Sequence, residues 1–230
     1  MLHLMHQLEI DITQSNEVGE AIELAHIYRM PAVVVHPELV DAATIQRFRR
    51  QATCKIIVPV DWPKGDKTGI SKLYNMSLTA LACDGVEILF NSRDVTALTI
   101  EMKTLINFIR TQLPEIIEIR FVFGALTHDT KWLTAMCEAA KNVPAPNFIR
   151  TDIATKAPQV KANATVHADT ITLMKSIVNR PIKLSGNIGS TKMLAQCKAN
   201  RYAVSLKQAQ MIVKEIKENP KKVEKLFAPV

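Results

Sequence analysis

Eight short runs of β-branched and apolar residues alternate along this chain with longer stretches of helical period, and that alternation limits the possible folds more than any other feature. The strand-like runs are 8–12, 32–36, 55–60, 86–90, 118–123, 148–151, 182–185 and 202–205. The helix-like stretches are 17–28, 42–50, 70–82, 97–113, 130–141, 165–179 and 191–199. A strand followed by a helix long enough to cross back forms a β/α unit, and repeating it makes the strands parallel. About eight such units in 230 residues, without a long linker, predict one domain over residues 1–230, a closed (β/α)8 TIM barrel. A basic helical segment at about 206–228 follows the last strand. An open doubly wound sheet is the alternative, but Asp11-Ile12-Thr13-Gln14-Ser15-Asn16 stands where a dinucleotide site needs glycines. Ser15 or Asn16 is instead placed to cap the helix that follows.

Composition narrows the class of partner. No segment reaches the roughly 18 uninterrupted apolar residues of a membrane span, so no membrane partner is expected. The first residues do not read as a secretory signal, having no cationic patch followed by an apolar stretch and cleavage site, so a cytoplasmic location is expected. Cys54, Cys83, Cys137 and Cys197 show no C-x-x-C spacing and read as buried, reduced thiols; no metal site is expected. The net charge of +7 draws on Lys207, Lys214, Lys217, Lys221, Lys222 and Lys225. Glu215, Glu218 and Glu224 interrupt these lysines, and no stacking aromatic series accompanies them. A solvated final helix therefore fits better than a nucleic-acid partner.

Three charged side chains interrupt strand-like runs: Glu87 in Gly85-Val86-Glu87-Ile88-Leu89-Phe90, Arg150 in Asn147-Phe148-Ile149-Arg150-Thr151, and Lys183 in Pro181-Ile182-Lys183-Leu184-Ser185-Gly186. Burying one charge without a partner is so costly that three on core strands are expected to pair with one another around a polar site. In a barrel the functional groups gather at the carboxyl ends of the strands. That rule selects Asp11, His36, Asp61, Glu87, Asn91, Arg150, Asp152, Lys183, Ser185 and Ser205. His36, followed by Pro37, reads more simply as a turn residue than as a catalyst.

In this order the motifs resemble those of the deoxyribose-phosphate aldolases and related class I aldolases. Val33-Val34-Val35-His36-Pro37 looks like that family's second strand, and Val60-Asp61-Trp62-Pro63-Lys64-Gly65 is similar to its loop after strand three. Cys83-Asp84-Gly85-Val86-Glu87 resembles the fourth strand, which carries a catalytic acid. Phe148-Ile149-Arg150-Thr151 resembles the sixth, where the family has Phe-Ile-Lys-Thr and the lysine forms the Schiff base. Ile182-Lys183-Leu184-Ser185-Gly186-Asn187 resembles the seventh, with a second lysine before a phosphate loop, and Arg201-Tyr202-Ala203-Val204-Ser205 the eighth. The resemblance implies aldol chemistry on a small phosphosugar or aldehyde, without a cofactor. It also implies a phosphate site at Ser185, Gly186, Asn187 and Ser205, with Asp11 contributing to substrate binding.

The departures fall at chemically decisive positions. Arg150 cannot lose its proton near neutral pH and cannot be the Schiff-base amine. Asn187 replaces a glycine of the phosphate loop, Gly189 stands where a basic residue is common, and Ala203 replaces the glycine of strand eight. Two readings follow. In the enzymatic one Lys183 becomes the nucleophile, with Arg150 disfavouring its charged form and Glu87 moving protons. In the other, Glu87, Arg150 and Lys183 form a satisfied cluster in a protein that binds a phosphate- or carboxylate-bearing ligand or serves as a scaffold. The oligomeric state is left open, a homo-oligomer included.

Overall fold

The computed structural model describes residues 2–61, 71–72, 83–113, 116, 118–123, 129–143, 146–152, 164–186 and 188–227. The strands are β1 (Leu8–Ile12), β2 (Ala32–Val35), β3 (Lys55–Val60), β4 (Gly85–Phe90), β5 (Glu118–Phe123), β6 (Phe148–Asp152), β7 (Ile182–Ser185) and β8 (Arg201–Ser205). They pair in sequence order, every pair parallel, and β8 closes on β1. This is the expected (β/α)8 TIM barrel. The described helices are α1 (Leu2–Met5), α2 (Val18–Ile27), α3 (Val40–Arg49), α4 (Val95–Gln112), α5 (Thr130–Lys141), α6 (Ala164–Ile177), α7 (Thr191–Cys197), α8 (Leu206–Glu218) and α9 (Pro220–Phe227). The helix expected over 70–82 lies almost wholly outside the described residues.

Side chains alternate across each strand, so one set faces the helices and the other faces the lumen. Leu8, Ile10 and Ile12 of β1, Val86, Ile88 and Phe90 of β4, and Ile119, Phe121 and Phe123 of β5 all join one large apolar core between sheet and helices. The alternate residues face inward. There, Ala32, Val34 and Ile57 form a small separate apolar cluster on the β2–β3 side. Much of the remaining interior is charged, with Leu89, Val122 and Ala203 among the apolar residues beside it. Gly85 shows how tightly the wall closes at the start of β4, since a Cβ there would lie 2.5 Å from the Glu118 carbonyl oxygen of β5.

Asp94 accepts from the Ala97 N–H at the start of α4, and Asp129 accepts from Lys131 and Trp132 at the start of α5. Ser15 and Asn16 do not cap α2, contrary to the expectation. They sit in a 3-10 turn, Ser15–Glu17, and neither this turn nor α2 carries a side-chain cap. The four cysteines are free and buried.

Candidate functional site

Seven of the eight strands send a charged side chain into the lumen. β1 contributes Glu9 and Asp11, two residues apart and hence on the same face, and β5 contributes Glu118 and Arg120 in the same way. Glu87, Arg150, Lys183 and Arg201 come from β4, β6, β7 and β8. Lys55 of β3 enters from the rim where the strands begin, its Nζ 2.6 Å from Glu118 Oε2. Excluding Lys55, four carboxylates face four cations.

Arg120 is the hub. Its side chain is inaccessible to solvent, with Nη1 2.5 Å from Glu9 Oε2 and 2.9 Å from Glu87 Oε1, and Nε 2.6 Å from Glu118 Oε1. A contact from β5 to β1 spans the barrel, which is possible only through its interior. Lys183, equally buried, lies between two carboxylates: its Nζ is 2.5 Å from Glu9 Oε2 and 2.7 Å from Glu87 Oε1. Arg150 sits nearer the mouth and donates through Nη1 to Glu87 and through Nη2 to Asp11. Arg201 Nη1 closes the lower side at 2.7 Å from Glu9 Oε1, with its guanidinium 4.2 Å over the Phe148 ring.

These contacts set the protonation states. Burial by itself raises the pKa of Glu9, but Arg120, Lys183 and Arg201 outweigh it and hold the carboxyl well below its usual range. Glu87 follows the same pattern, burial being overcome by Arg150, Lys183 and Arg120. Glu118 is lowered too, with burial opposed by Arg120 and Lys55. Asp11 goes the other way. Burial raises its pKa, Glu87 adds to that, and Arg150 and Lys183 offset it only in part.

The expected convergence of Glu87, Arg150 and Lys183 is therefore present, inside a larger network. Glu9, Glu118, Arg120 and Arg201 were not singled out from the sequence. Their signal was the charge-apolar alternation of Glu9-Ile10-Asp11-Ile12 and Glu118-Ile119-Arg120-Phe121, which reads as a solvated sheet face until the barrel closes. At the mouth, a cavity of about 50 Å³ is lined by Asp11, Ile12, Thr13, Val34, His36, Pro59 and Arg150. Asp11 Oδ1 is buried with no hydrogen-bond partner among the described residues.

The residues expected to bind phosphate are differently engaged. Ser185 is buried and its hydroxyl donates to the Thr151 carbonyl. Ser205 is exposed and forms a capping box with Gln208 at the start of α8. Gly186, at φ 143°, makes the turn after β7, and Asn187 lies outside the described residues. Asp61 is buried with an oxygen 3.6 Å from Lys72 Nζ, and His36 Nδ1 is 3.6 Å from Glu38.

Comparison with solved structures points to one fold. A deoxyribose phosphate aldolase from Aeropyrum pernix, described as a unique tetramer, superposes with TM-score 0.78 at 14% identity, over 94% of this chain and 92% of that one. A putative deoxyribose-phosphate aldolase from Coccidioides immitis gives 0.77 at 11% identity, over 94% and 86%. An aldolase called QR15 gives 0.74 at 17% identity, over 96% and 99%. No family model and no curated protein matches the sequence. The chain is a (β/α)8 barrel, and its fold is that of these deoxyribose-phosphate aldolase structures.

Proposed function

We propose that this aldolase-like barrel binds a small hydroxylated ligand carrying a carboxylate or phosphate at its carboxyl-end mouth, without forming a Schiff base. The setting of Lys183 carries this reading. An amine attacks a carbonyl only when it is neutral and can reach it. The Lys183 side chain is inaccessible, its Nζ held between the Glu9 and Glu87 carboxylates at 2.5 and 2.7 Å, so a carbonyl reaches it only if both contacts open. Arg150 occupies the position where the resemblance puts the Schiff-base lysine, and a guanidinium cannot replace it.

What remains accessible is suited to binding. Asp11 Oδ1 has no donor among the described residues, and a ligand hydroxyl supplies one. Val34 and Pro59 offer an apolar wall for carbon atoms, and Arg150 attracts the anionic group. We assign a phosphate arm to the turn at Gly186, because the hydroxyls of Ser185 and Ser205 already have partners. Aldol cleavage through Lys183, with Glu87 as acid/base, is the competing reading and requires both ion pairs of Lys183 to open.

Borohydride trapping with small aldehydes and aldose phosphates, read by intact-protein mass spectrometry, separates the two. The expected result is no adduct, together with saturable calorimetric binding of a hydroxy acid or phosphosugar that Asp11→Asn weakens. A trapped adduct on Lys183 overturns this reading in favour of catalysis.

A further inference from the structure

Because all eight strands are parallel, each helix between two strands ends on the rim where the next strand begins, opposite the mouth cavity. That rim gathers exposed cations distant in sequence: Arg29 just after α2, Arg49 at the end of α3, Lys198 just after α7 and Lys217 in the last turn of α8. α9 adds Lys221, Lys222 and Lys225. It lies on the same rim, for its Val223 and Phe227 share a cleft with His3 and Leu4, which lead into β1. Lys217 Nζ stands 5.2 Å over the Tyr28 ring, so the ends of α8 and α2 adjoin, and α2 packs beside α3. The patch is continuous from α9 to α3.

Four large apolar side chains project among these cations. Phe48 is 85% exposed, Ile27 59%, and Leu226 and Phe227 36% each. Of the acids on this rim, Asp84 pairs with Arg47, Glu23 lies 3.6 Å from Arg50 and Glu218 3.8 Å from Lys214, while Glu224 of α9 is exposed and outnumbered by Lys221, Lys222 and Lys225. Helix dipoles account for cations in the last turns of α3 and α8. They do not account for Lys221 and Lys222, which stand in the first turn of α9, where the dipole opposes them and no acid shares the turn, Glu224 coming one turn later.

We propose that this rim docks peripherally on an anionic lipid surface. A bilayer surface suits this rim in composition: its headgroups suit the lysines and arginines, and its interfacial layer takes up Ile27, Phe48, Leu226 and Phe227. A nucleic acid uses the cations but has no use for exposed aliphatic side chains. A second copy of this chain brings like charge against like. No described helix is long and apolar enough to cross a membrane, so the contact is superficial and leaves the mouth facing water.

Co-sedimentation of the full chain with phosphatidylcholine vesicles, with and without about 30% phosphatidylserine, tests this in about 0.1 M salt. Binding is expected only to the anionic vesicles and to be lost in high salt. The triple variant Lys221→Glu, Lys222→Glu, Lys225→Glu should reduce partitioning at least about tenfold with an unchanged thermal melt. Arg49→Glu should act in the same direction from a different element, and Phe48→Ser should weaken binding with little change in its salt dependence. Absence of binding to the anionic vesicles, equal binding to neutral ones, or indifference to both charge reversals refutes the proposal. Tighter binding to a single-stranded oligonucleotide at the same salt refutes it too, and reassigns the rim to nucleic acid.

Discussion

Arg120 is the residue on which the interior most depends. All of its guanidinium nitrogens are spent on carboxylates, and removing it leaves Glu9, Glu87 and Glu118 in a dry lumen with one cation too few. Uncompensated buried charge costs about 3–5 kcal/mol, so Arg120→Leu should lower the urea-unfolding free energy by that amount. Arg201→Leu should cost less, because Arg201 is 20% exposed and water replaces part of what is lost. Equal costs would place the weight of the network elsewhere. Only part of this was legible in the sequence. Glu87, Arg150 and Lys183 stood out because each is a lone charge in an apolar run. Glu9 and Arg120 alternate with apolar neighbours and so look like the wet face of a sheet. Closure of β8 onto β1 makes that face interior, where Arg120 reaches Glu9 across 111 residues of sequence.

At the scale of elements the agreement is closer, since period-two apolar runs and amphipathic helices carry their own signal. The runs 8–12, 55–60, 118–123 and 182–185 are strands with the expected limits, and 130–141 is a helix with the expected limits. What local pattern could not show is which hydroxyls a helix start would claim. Ser205, read as a phosphate ligand, accepts from the Gln208 N–H while Gln208 reaches back to the Ser205 N–H, closing the start of α8. Ser205→Ala should therefore cost about 1 kcal/mol of stability and leave phosphosugar affinity almost unchanged. A large calorimetric loss of affinity with unaltered stability would return Ser205 to the ligand site.

For the whole molecule the charged lumen makes stability depend on acid. Glu9, Glu87 and Glu118 all have folded pKa values below their unfolded ones. Their contribution is complete above the unfolded value, near 4, and disappears as pH falls toward the folded values. Asp11 has the opposite sign: its raised folded pKa favours the fold at low pH, and that contribution is lost as pH rises through it. Three groups outweigh one. The urea midpoint should hold near neutral pH and fall steeply below about pH 4. A flat profile down to pH 3 would mean that the carboxylates are not ion paired in the folded protein.

The central claim is that Lys183 is sealed among carboxylates and unavailable to a carbonyl. Formaldehyde, the smallest aldehyde, tests it most directly in a timed reductive methylation with borohydride, followed by peptide mass spectrometry. Exposed lysines such as Lys198, Lys221 and Lys225 serve as internal references. Lys183 is expected to stay unmodified while these are dimethylated, and to react only after the chain is unfolded in urea. Dimethylation of Lys183 in the folded protein at a rate matching the reference lysines would contradict the account and restore the amine as a candidate nucleophile.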